Sequence, residues 1–135
     1  ETLTIVTSDG TLTDSDTIGI TVTPVNDAPV NSVPGPQTVA EDTALVFSSG
    51  NGNAISVSDV DATTLQVTLS VNNGTLSLNG TTGLTFSVGT GSNEATMTFT
   101  GTIADINTAI GGLTYVGSAN FNGSDLLTIT TDDLG

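Results

Sequence analysis

Two short oxygen-rich stretches carry the chemistry open to this sequence: "TPVNDAPV" at 23–30 and "VSDVDA" at 57–62. Ca2+ takes about 6–8 oxygens, drawn from carboxylates, amide side chains and backbone carbonyls. Asp27 offers charge, Asn26 a neutral oxygen, and the paired Asp59 and Asp61 a second arm. Pro24 and Pro29 fix their own φ and push Thr23 and Ala28 into extended backbone. Such a run is short, stiff and rich in oxygen. A plain turn would account for the run itself. A turn calls for no Asp-x-Asp elsewhere, whereas a cation clamp does.

The overall charge points the same way. The 135 residues carry 14 Asp and Glu and no Lys, Arg or His, a formal charge of −14. The chain therefore repels itself, and a bound cation is the natural remedy. It equally repels nucleic acid and anionic membrane surfaces, so neither is expected as a partner. With no His, Cys, Lys or Arg, the common bases, nucleophiles and oxyanion clamps are missing, and the chain is read as non-catalytic. Paired carboxylates remain, but every acidic pair lies in turn or junction sequence. No disulfide or thiolate metal site is possible without Cys. No apolar run of about 18 residues exists and no basic leader precedes an apolar core, so neither a membrane-spanning helix nor a signal peptide is expected.

The elements that must position these groups are strands. Hydrophobic residues make up 36% of the chain and mean hydropathy is +0.20, which with strict alternation argues for a folded chain rather than a disordered acidic one. Leu3 and Ile5 share one face of a first run, and Ile18, Ile20 and Val22 one face of a second. "SDGTLTDSD" between them reads as a hairpin connection capped by Asp14 and Asp16. Leu65, Val67, Leu69 and Val71 give the clearest strand. "NNG", "NGTTG" and "GTGSN" then read as successive hairpin turns into Leu76, Phe86 and Met97. In "TIADINTAIGGL", Ile103, Ile106 and Ile110 fall at helical spacing, with Thr102 as N-cap, Asp105 in the first turn and Gly111-Gly112 as the stop, which predicts one short helix over about 102–110. Asp125 and Glu94 read as surface residues. Asn73, Asn79 and Asn122 begin Asn-x-Ser/Thr sequons and are read as turn residues.

The two ends of the sequence also match each other. "ETLTIVTSDG" at 1–10 resembles "DLLTITTDDLG" at 125–135, with Leu3-Thr4-Ile5 against Leu127-Thr128-Ile129 and Asp9 against Asp133, all at an offset of 124. That is the signature of a little more than one period of a tandem array. Residues 1–25 read as the last two strands of one repeat, 26–30 as a linker, and 31–135 as a repeat without its final strand. Residues 16–25 should then be unable to complete the sandwich of their own chain. Neighbouring repeats and head-to-tail self-association are the expected partners.

The succession "VNDAPV", "AEDTAL", "VSDVDA" and "INTAIGGLTYVGSANFNGSDLLTITTDD" resembles the cadherin-like repeats of giant bacterial surface adhesins exported by type I secretion, over residues 25–135. That resemblance implies a cadherin or immunoglobulin-like antiparallel β-sandwich. It implies Ca2+ at domain junctions and a spacer role in a stalk at the bacterial cell surface, associated with the outer membrane and supporting cell adhesion. Carried over by motif, it implies ligands at Asn26, Asp27, Asp59 and Asp61, and at Asp132 or Asp133. Glu41 and Asp9 stand behind them. The Asp-Arg-Glu motif of cadherins is missing, since the chain has no Arg. The competing reading is a carbohydrate- or protein-binding module of a large secreted protein. Aromatics are only 4% of the chain with no Trp, so stacking platforms for sugars are scarce.

Overall fold

The computed structural model describes residues 1–135. It is an all-β, antiparallel, sandwich-like structure with one short helix. In chain order the strands are β1 (Thr2–Ser8), β2 (Thr13–Gly19), β3 (Val30–Ser32), β4 (Leu45–Phe47), β5 (Ser56–Ser58), β6 (Thr64–Ser70), β7 (Gly74–Ser77), β8 (Thr85–Val88) and β9 (Thr96–Thr102). The helix α1 (Ile103–Ile110) follows, then β10 (Leu113–Gly117) and β11 (Thr128–Asp132). One sheet has the order β11-β6-β9-β8 and faces a second with the order β4-β10-β7. β3 pairs with β5, and β1 with β2, as separate two-stranded sheets.

Alternation places the core. Leu65, Val67 and Leu69 of β6 are completely buried while Gln66, Thr68 and Ser70 between them are half-buried. Met97 and Phe99 of β9 lie beside them, and Leu76, Leu113 and Phe47 come from the facing sheet. On the outward face the Thr68 and Thr98 hydroxyls meet at 2.9 Å. The helix forms where expected. The Thr102 hydroxyl oxygen accepts from the Asp105 N–H, and the Thr102 hydroxyl donates back to the Asp105 carboxylate. Ile106 and Ile110 are fully buried under it. Asn107 fastens the helix to β5: its amide oxygen accepts from Val57 N–H at 2.8 Å and its NH2 donates to Val57 O at 2.9 Å.

The turns differ from the sequence expectation. β6 pairs with β9 and β11, and β7 with β10, so "NNG" at 72–74 is a crossover between sheets rather than a hairpin. "NGTTG" crosses back. Of these three turns only "GTGSN" joins paired neighbours, β8 and β9, as the 8–13 connection joins β1 and β2. In the β8–β9 turn the Glu94 carboxylate accepts from the N–H groups of Thr90 and Gly91. Gly74 is required for a different reason than turn geometry. A Cβ there would stand 2.5 Å from Val116 O and 2.6 Å from the Tyr115 ring. Gly74→Ala is therefore expected to cost about 1–3 kcal/mol by forcing β7 away from β10. A denaturant midpoint within error of the parent chain would contradict it.

Candidate cation site at the linker

Residues 26–27 sit where two parts of the sandwich meet. The Asn26 side-chain NH2 donates to Asp133 Oδ2 at 2.7 Å, just beyond β11. The Asp27 N–H donates to Asp61 Oδ2 at 3.2 Å, in the loop between β5 and β6. That loop is built on Asp59, whose Oδ1 accepts from the N–H groups of Asp61 (2.9 Å) and Ala62 (2.8 Å). Its other oxygen, Oδ2, is buried and has no partner. The chain thus brings Asn26, Asp27, Asp59, Asp61 and Asp133 to one end of the sandwich.

The electrostatics fit that crowding. The N–H groups of Ala62 and Asp61 hold the Asp59 carboxyl below its ordinary value. Asp61 is pushed up, first by the Asp59 carboxylate against it and also by the charges of Asp59 and Asp27, although the Asp27 N–H pulls the other way. The negative charges of three Asp side chains meet here, in a chain with no basic side chain anywhere. No three acidic side chains stand close enough to enclose a metal without movement. A cation binding here would have to draw them in.

Of the two alternatives at the end of β11, it is Asp133 that faces the linker. Asp132 accepts from Leu134 N–H and closes a local turn. Asp9 does not reach the junction. Its Oδ1 accepts from the N–H groups of Thr11 (2.9 Å) and Leu12 (2.8 Å), which holds it below its ordinary value and closes the β1–β2 turn. Asp14 and Asp16, expected to cap that turn, lie within β2 opposite Thr7 and Ile5. Glu41 lines a groove beside β11 instead.

Sequence reasoning missed Asp125. It is half-buried and accepts from Asn72 N–H (3.0 Å), Asn73 N–H (2.9 Å) and the Tyr115 hydroxyl (2.8 Å). Burial pushes its carboxyl up, but the Tyr115 hydroxyl and the N–H groups of Asn73, Leu126 and Asn72 outweigh that and leave it below its ordinary value. Tyr115 is pushed up to about 12, by burial first and then by Asp125. The spacing of Tyr115 to Asp125 in "YVGSANFNGSD" was the available signal. Its meaning depends on β7 crossing beside β10, which local sequence does not state.

The model of the Protein GAMETE EXPRESSED 2 domain matches residues 45–134, two thirds of the chain. The chain belongs to the GAMETE EXPRESSED 2 domain family. The match runs from β4 through β11, so it covers the two facing sheets and leaves the β1–β2 hairpin and the linker outside. No curated protein and no solved structure matches. This overturns the resemblance to cadherin-like repeats of bacterial adhesins, and with it the stalk-spacer role, the bacterial surface and the outer membrane. The motifs behind that resemblance, an Asn-Asp-x-Pro run and an Asp-x-Asp turn, are short pieces of β-sandwich loop.

Proposed function

We propose that this GAMETE EXPRESSED 2 domain is a non-catalytic module that takes up Ca2+ where the 26–27 linker meets the 59–61 loop and Asp133. The cation fixes the linker, and the hairpin it carries, in one orientation on the sandwich. The observation that carries this reading is the buried, unpartnered Asp59 Oδ2 beside Asp61 and Asp27, in a chain that offers no cation of its own. Asp59, Asp61, Asp27 and Asp133 supply carboxylates and Asn26 an amide oxygen. The family's name points to expression in gametes, and we place the module outside the cell. Extracellular modules bind Ca2+ at about 10⁻⁴–10⁻³ M. The same lack of His, Cys, Lys and Arg argues against catalysis, and the charge of −14 against nucleic acid or an anionic membrane as partner.

A calcium titration followed by thermal melting tests this. A ligand that binds only the folded state stabilises by about 2.7 kcal/mol at a hundredfold excess over Kd. Ca2+ is expected to raise the melting temperature well beyond NaCl of matched ionic strength, and EDTA to reverse the gain. Asp59→Asn and Asp61→Asn should each remove most of the response, while Asp14→Asn keeps it. An equal response in all three variants would mean general screening and no site.

A further inference from the structure

We propose that β2 of a second copy of this chain docks along the free edge of β11. β11 pairs with β6 on one side only. Its open side forms one wall of a groove of about 980 Å3 whose lining includes Val39, Phe47, Val71, Leu127 and Ile129. At the far end the Thr131 hydroxyl donates to the Asn31 side chain, which leaves the stretch 125–129 clear.

The occupant is indicated by the chain itself. β1 is the sequence twin of β11, with Leu3, Thr4 and Ile5 corresponding to Leu127, Thr128 and Ile129. The likeness extends to the turn that follows. Asp9 accepts from the N–H two residues on, Thr11, as Asp133 does from Gly135. The strand that pairs with β1 is β2, in the register Leu3↔Ile18, Thr4↔Thr17 and Ile5↔Asp16. Transferred to the twin, that register sets Ile18 opposite Leu127 and Thr17 opposite Thr128. It brings Ile20, which exchanges backbone hydrogen bonds with Glu1 in the hairpin, opposite Asp125. Leu127 and Ile129 pack on the core, so Ile18, Ile20 and Val22 would enter the groove on the same face. Ile18 and Ile20 in the hairpin and Val22 just beyond it are 50%, 47% and 81% exposed. An isolated two-stranded hairpin is marginal in water, so β2 has little to lose by exchanging β1 for its twin.

The donor has to be another molecule. Asn26 is held at Asp133. From Ile20 to Asn26 the chain can stretch about 20–22 Å. From Asp125 to Asp133 β-structure runs about 26–27 Å. β2 therefore cannot reach this register on its own sandwich while the linker stays in place. Each copy both donates β2 and accepts at β11, so copies link head to tail or close as a reciprocally swapped pair.

The chain has no cysteine, which makes cross-linking clean. Directly opposed antiparallel residues stand about 4.5–5.5 Å apart at Cα, within disulfide reach. The chain of residues 1–135 with Ile18→Cys, mixed with a size-tagged Leu127→Cys chain at 0.15 M salt and oxidised, is expected to give the mixed dimer. Val6→Cys in place of Ile18→Cys should give little. The doubly substituted chain, oxidised when dilute, should stay uncross-linked. Light scattering should show mass rising with concentration in the parent chain, and a monomer in Ile18→Lys, whose unchanged melting temperature confirms that the core is intact. A parent chain that is monomeric throughout, an assembly that survives Ile18→Lys, or an intramolecular cross-link would each give the groove to a different occupant and overturn the proposal.

Discussion

Asp125→Ala lowers the unfolding free energy by about 2–4 kcal/mol, because it strips the acceptor at once from the Tyr115 hydroxyl and the N–H groups of Asn72, Asn73 and Leu126. The Asn72 and Asn73 N–H groups and the Tyr115 hydroxyl all point at this carboxylate where β6 ends and the chain crosses to β7. Tyr115→Phe removes one of those bonds and should cost about 1 kcal/mol. Asp125→Asn, which keeps an acceptor but loses the charge, should fall between. The pH dependence has a definite sign. Asp125 is depressed in the fold, so its contribution is present at neutral pH and fades as pH falls through the acid range below about 4. Tyr115 is raised to about 12, so the fold prefers its neutral form. That contribution is intact below about pH 10 and is lost as pH climbs toward 12. Replacing Asp125 should bring the tyrosine titration back toward its ordinary value, readable by absorbance. A titration that does not move would show that the 2.8 Å contact carries no weight in solution.

Phe99→Ala costs about 3–5 kcal/mol, the largest single loss expected in the chain. Phe99 is completely buried, with its ring centroid 5.5 Å from that of Phe86. It also sits on β9 opposite both Val67 and Phe86, so one cavity would loosen three strands. Phe86 is half-buried, and Phe86→Ala should cost clearly less. Urea unfolding of the two variants decides the point. Equal losses would mean that the Phe86 side of the sheet is as closed as the Phe99 side.

The parts of the fold legible in sequence were those fixed by local period. β6 announced itself through Leu65, Val67 and Leu69, and the helix through Ile103, Ile106, Ile110 and its Thr102 cap. Strand pairing was not legible, because Asn-Gly at 73–74 has the same composition whether the chain turns back or crosses to the other sheet. Gly74 in fact answers to the Tyr115 ring, which lies 41 residues on. The candidate site was half legible. Asn26, Asp27, Asp59 and Asp61 were found from residue type and spacing. The choice of Asp133 over Asp132 depends on where β11 ends, and Asp125 depends on a contact across the sheets. Family membership lay in none of these motifs, since it resides in the whole run from β4 to β11.

The place of β6 at the centre of its sheet has a consequence for how the chain comes into being. Its partners are β9, paired from Thr96 onward, and β11, which closes with Asp132 opposite Gln66. During synthesis at about 5–20 residues per second, the 62 residues between Ser70 and Asp132 take about 3–12 s to emerge. Until β9 has emerged both edges of β6 are uncovered, and from then until Asp132 one edge of the strand that carries Leu65, Val67 and Leu69 stays open. A nascent chain of this kind is slow to close, as folds dominated by distant pairings are. It is exposed to wrong pairing until β11 arrives.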